Sequence, residues 1–150
     1  MLYGIRLALI YEILFNPLLL GLRMKLLPAQ TSETSLSSIG EEARALLMRH
    51  DYSGLANRFG YALAFDRPPS AALEADFLSA AASPITLGAG AYLPDVVTVK
   101  YFSPNDTGLF ALVECPVPVA DGVAVLLELI VTGKSEEKHI TVEDISGVTA

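Results

Sequence analysis

Asp121-Gly122 stands between two runs of aliphatic and β-branched residues, 109–113 and 123–132, and nothing else restricts the fold of this chain so tightly. An Asp-Gly pair adopts positive φ at low cost, as a two-residue turn between twisted strands requires, so the two runs are predicted to fold back as a hairpin. Gly133-Lys134-Ser135-Glu136-Glu137 supplies the next turn and leads into a strand over 139–145. Upstream, Val96-Val97-Thr98-Val99-Lys100-Tyr101-Phe102 is β-branched and aromatic, and Ser103-Pro104-Asn105-Asp106 turns it back. Three short connections in succession join antiparallel neighbours, which predicts a curved four-stranded antiparallel meander over residues 95–148.

Ahead of the meander the apolar spacing is helical. Residues 28–37 are rich in Ser and Thr without an apolar period and read as a linker. Ser37 or Ser38 then caps a helix with Glu41 and Glu42 in its first turn and Ile39, Ala43, Leu46 and Leu47 as its stripe, ending near His50. Asp51 caps a second helix that runs to about Phe65, and Asp66-Arg67-Pro68-Pro69 stops it. Ser70 caps a third that ends before Pro84, and residues 84–94, with Gly88, Gly90 and Pro94, read as a loop. Helices followed by strands give the α+β class, with N-terminal helices packed on the sheet and one domain over 38–150. A chain of 150 residues buries a sufficient core without a metal or a disulfide.

If Ala120 pairs with Val123 in a strict ladder, Cys115 lies opposite Glu128 and Glu114 opposite Leu129; if Thr132 pairs with Lys138, Glu128 lies opposite Val142. Cys115, Glu128, Ile130, Val142 and Asp144 then share one face, and Glu114, Leu127, Leu129, His139 and Glu143 the other. Both faces are largely apolar, so each is expected to be covered. Pro116 and Pro118 cannot donate ladder bonds, and a bulge there would exchange the faces upstream of it.

Residues 5–22 are apolar around the whole helical circumference, interrupted by Glu12 and Asn16-Pro17. A membrane-spanning helix takes about 20 apolar residues and tolerates a central carboxylate poorly. A secretory signal fits poorly too, because no basic stretch precedes the run. Residues 1–27 are read as a helix that docks on the domain, meets a partner, or lies upstream of a start at Met24. Anchorage to a membrane by residues 1–23 is the remaining alternative.

The net charge is −7, with +2 over residues 1–25 and therefore −9 over the rest. No Lys/Arg cluster follows Lys25, which excludes the electrostatic footprint of a nucleic-acid partner. A hydrophobic content of 52% points to a homodimer or a protein partner covering part of the surface. Cys115 is the single cysteine, so an intrachain disulfide is impossible and a cytoplasmic, reducing setting fits. No metal-ligand spacing and no cofactor motif is present; Gly88-Ala89-Gly90 lacks the strand-loop-helix context of a phosphate loop.

Glu128 lies in the most apolar stretch of the chain, where a carboxylate must be paired, hydrogen-bonded or protonated. It is an acid/base in a pocket, with Asp144 as its carboxylate partner and His139 as a further candidate base, or it pairs with Arg44 or Arg58, or it lies exposed at a rim of the sheet. Asp144 reads first as a strand-end or turn residue, and His139 as a solvated histidine at a turn. Cys115 reads as a buried thiol, and Tyr61 and Phe65 as core aromatics; together the three are the candidate lining of a ligand pocket.

The helical segment Asp51-Tyr52-Ser53-Gly54-Leu55-Ala56 and the ending Asp121-Gly122, Leu127-Glu128-Leu129 and Ile140-Thr141-Val142-Glu143-Asp144-Ile145 resemble the NTF2-like or cystatin-like class of small bacterial domains over about 38–148. That resemblance implies helices on a curved meander. It also implies one of three roles: an isomerase or hydrolase with an acid/base pocket, an immunity protein that blocks a toxin, or a binding module. The Asp/His pair of the enzymatic members has no clear counterpart, so a non-catalytic, immunity-protein-like module is the first expectation and a Glu128-pocket enzyme the second.

Overall fold

The computed structural model describes residues 23–150, with three helices on one side of a six-stranded, mainly antiparallel sheet in an α+β arrangement. The chain enters through β1 (Met24–Leu26) and a 3-10 turn (Pro28–Thr31), where the sequence predicts the end of a helix and a linker. α1 (Glu33–Met48) likewise starts before Ser37 and Ser38. Its cap is Ser32, whose hydroxyl accepts from the Ser35 amide at 3.2 Å, and Glu33 occupies the first turn. The polar residues that read as linker form the wet side of this helix, while Leu36, Ile39, Ala43 and Leu47 are buried at helical spacing.

α2 (Tyr52–Phe59) has the expected cap, the Asp51 carboxylate accepting from the Gly54 amide at 2.9 Å. It stops at Gly60 (φ 67°), short of Phe65, and the chain then passes the edge of the sheet, where Tyr61 bridges Val142, before a 3-10 turn (Ala62–Ala64). α3 (Pro69–Ala82) begins one residue before Ser70, since proline suits a first turn whose amides lack helical acceptors. Within the predicted loop lies β2 (Ile85–Thr86).

The meander is β3 (Thr98–Tyr101), β4 (Leu109–Ala120), β5 (Val123–Thr132) and β6 (Lys138–Thr149), adjacent in that order. The sheet has six strands instead of four because β6 extends past both ends of its predicted range. Its free edge takes β1 antiparallel at Lys138 to Ile140 and β2 parallel at Val148 and Thr149. Among the described residues no helix is long and apolar enough to cross a membrane; the reading of residues 1–22 lies outside the described residues.

Bulges decide the register. Ala120 does pair with Val123, Gly122 taking φ 73°, but Val119 is an extra residue in β4, so Cys115 faces Leu127 and Glu114 faces Glu128. The strict ladder is broken beside Pro118, which has no amide to give it. At the other turn Thr132 pairs with His139 instead of Lys138, and Glu143 is an extra residue that brings Asp144 opposite Glu128. The predicted faces are corrected accordingly. Val113 and Cys115 of β4 join Leu127 and Leu129 of β5 and Ile140 and Val142 of β6 on a first face, all fully buried beneath the helices.

Two glycines let the helices come this close. A Cβ on Gly40 of α1 would stand 2.8 Å from Val113 Cγ1 and 3.2 Å from Cys115 Sγ. A Cβ on Gly147 of β6 would overlap the Ala80 carbonyl oxygen of α3.

Candidate functional site

The second face of the sheet is where the candidate carboxylates gather. Glu114, Glu128 and Asp144 are successive cross-strand partners on β4, β5 and β6, and so form one row across the strands. Glu128 is only 3% exposed, and Glu143, bulged out beside Asp144, is buried as well. Lys100 Nζ of β3 meets Glu114 Oε1 at 2.5 Å at the open end of the row. None of Glu128, Glu143 and Asp144 stands without a partner.

The expected Glu128–Asp144 pair is therefore brought together, though through a bulge and not through the strict ladder. His139 is not. It shares this face, contrary to the predicted side, but stands opposite Thr132, four residues along β5 from Glu128, a separation of about 13 Å at strand rise. Burial first, and the nearby Arg23 second, hold the His139 imidazole below its ordinary value. Arg23 Nη1 also donates to Thr132 Oγ1 at 3.2 Å. The expected arginine partners go elsewhere: Arg44 Nε donates to the Pro116 carbonyl at 2.6 Å, and Arg58 pairs with Glu42 at 2.7 Å.

The candidate pocket residues are dispersed. Cys115 is fully buried beside Gly40, and burial above all pushes its thiol up to about 12, far from a usable thiolate. Phe65 is 65% exposed, its φ of 52° turning it outward after the 3-10 turn. Tyr61 is buried and donates to Asp76 Oδ2 at 2.5 Å, while Arg67 grips the same carboxylate through both terminal nitrogens at 2.9 and 3.0 Å. Burial opposes ionisation of Asp76, but the Arg67 and Tyr61 hydrogen bonds outweigh it and hold the carboxyl below its ordinary value. This clamp ties the Gly60 crossing to α3. Sequence reading misses it, since Tyr61, Arg67 and Asp76 follow no helical or strand period.

An open depression of about 320 Å³ lies between Met48, His50, Phe77 and Val117 to Val119, remote from the carboxylate row. Among the described residues no group of three or more acidic, His or Cys side chains has the arrangement to hold a metal ion. No family model matches the chain, and no curated protein or solved structure matches it either.

Proposed function

We propose that this chain is a non-catalytic protein-binding module of NTF2-like or cystatin-like type, whose binding edge is β3 and whose first partner is a second copy of itself. The observation that supports it is the filled side of the sheet facing the helices. Val113, Cys115, Leu127, Leu129 and Val142 are fully buried there without one polar side chain among them, whereas a small-molecule enzyme of this architecture needs a chamber in that place.

The β3 edge has the opposite character. Val96 is 60% exposed, with Tyr101 and Phe102 also open, and β3 ends the strand order of the described sheet. The Phe102 amide donates to the Phe110 carbonyl at 2.9 Å, so antiparallel alternation turns the Val99 and Tyr101 amides away from β4. A strand added there gains backbone hydrogen bonds and covers the exposed side chains. Two copies related by a two-fold axis satisfy each other in this way.

Salt separates this partner from the immunity-type alternative, a basic protein. Residues 26–150 carry −9, so screening tightens a homodimer and weakens capture of a basic surface. Light scattering on the full chain is expected to give a dimer that strengthens with added salt and dissociates in the Val96→Glu/Phe102→Glu variant. A monomer at every salt concentration overturns the homodimer, and a dimer indifferent to both substitutions overturns the β3 edge.

A second reading, acid/base chemistry on a small molecule, is favoured by the row of Glu114, Glu128 and Asp144. It requires a Glu128→Gln variant that folds as the parent does and loses an activity the parent has.

A further inference from the structure

We infer that two copies pair their β3 strands antiparallel about a two-fold axis at Val99, so that one sheet continues from copy to copy. The inference rests on the β3-edge dimer proposed above and fixes its register. Backbone alternation limits the choices first. The Phe102 amide donates to the Phe110 carbonyl, and Lys100 and Thr98 stand opposite Leu112 and Glu114 further along the same ladder. The backbone groups of Thr98, Lys100 and Phe102 are therefore turned toward β4, and those of Val97, Val99 and Tyr101 toward the open edge. An axis midway between two residues would set an outward amide against an inward one, so the axis falls on a residue.

Side chains then choose the residue. About Val99 the edge is complementary to itself. Val99 meets its own copy, Val97 meets the partner's Tyr101, and Thr98 meets the partner's Lys100. At the two ends Val96, 60% exposed, comes beside the partner's Phe102. Each apolar side chain thus faces an apolar one and each polar side chain a polar one. An axis at Lys100 puts two ammonium groups directly opposite each other and sets Val97 against the partner's Ser103. An axis at Thr98 sets Val96 against the partner's Lys100 and Asp95 against the partner's Tyr101.

The register has a consequence for other partners. It uses the outward backbone groups of Val97, Val99 and Tyr101 in both copies, so a second copy and a strand from a different protein exclude each other at this edge.

The test is disulfide formation in the full chain, with Thr98→Cys and Lys100→Cys as separate variants. Both positions are exposed, and the native Cys115 is fully buried. Both variants keep the Val97, Val99 and Tyr101 contacts that hold the axis. With the axis at Val99, position 98 of one copy and position 100 of the other have Cα atoms about 4.5 Å apart, whereas 98 to 98 and 100 to 100 are about 8 Å, beyond a disulfide's reach. Mild oxidation of the two variants mixed is expected to give a linked dimer whose mass is that of one chain of each. Neither variant alone is expected to link. Self-linking of Lys100→Cys or of Thr98→Cys moves the axis to that residue and overturns the register while the β3 edge stands. A dimer by light scattering with no disulfide in any sample overturns the pairing of β3 with β3, and monomers in every sample before oxidation overturn the homodimer itself.

Discussion

On one side of the sheet β4, β5 and β6 present Val, Cys, Leu and Ile packed against three helices; on the other the same strands set Glu114, Glu128 and Asp144 in a row among Leu112, Leu126 and Ile130. Both sides are buried, and this is why Val123-Ala124-Val125-Leu126-Leu127-Glu128-Leu129-Ile130-Val131 shows no polar alternation. Burial alone does not make the two sides equivalent. The first is built on volume, with glycine at each close approach, and the second accommodates charge.

Adjacent residues of β5 that point opposite ways break or sharpen this contrast. Leu129→Glu puts an unpartnered carboxylate into the apolar side, a cost on the order of 5 kcal/mol or more, and is expected to abolish the cooperative transition in urea. Ile130→Glu enters a side that already holds Glu128 and Asp144, so a folded though weakened protein is expected. Equal losses for the two would erase the distinction.

Next in size is Gly147→Ala, which leaves polarity untouched and tests volume alone. The Ala80 carbonyl cannot swing aside as a flexible side chain would, and a loss of about 3 kcal/mol is expected from the shift of the urea midpoint. Asp76→Asn should cost about 1–2 kcal/mol, discounted because Asp76 and Arg67 are partly exposed. The Asp76 carboxyl titrates lower folded than unfolded, so its contribution is fully present above the ordinary carboxylate value and is lost as pH falls toward the folded one. Stability curves of parent and Asp76→Asn should therefore converge on the acid side.

The smallest expected effect belongs to the second face. Because the folded His139 titrates below its ordinary value, the unfolded chain takes up its proton first. Stability then declines as pH drops through the ordinary histidine value and levels off beneath the folded one. His139→Gln should flatten that step in thermal melts between neutral and mildly acid pH; an unchanged step would assign it to another group.

What the sequence makes legible here is local. Asp121-Gly122, the Asp51 cap and the order of helices before the meander rest on neighbours in the chain, and each is found in place. The register is different: Pro118 announces a break in the ladder beside Val119, but nothing near Glu143 announces an extra residue, because bulges are selected by what the whole sheet must bury. The Glu128–Asp144 pairing was readable as a shared face, whereas the distance to His139 depended on the corrected register. β1 and β2, two or three residues long, are too short to show a period. The Tyr61–Asp76–Arg67 clamp joins residues that only the Gly60 crossing brings together.

The bulge at Glu143 has an evolutionary corollary. In an unbroken ladder the loss of one codon turns every following side chain inside out, so strand lengths are inherited in steps of two. Removing Glu143 would instead let Asp144 follow Val142 and still face Glu128, leaving Ile145 directed at the helices. Lineages descended from a common ancestor of this chain could therefore differ by a single residue at this position while every other position kept its side, and such a length difference would mark the bulge in sequence alone.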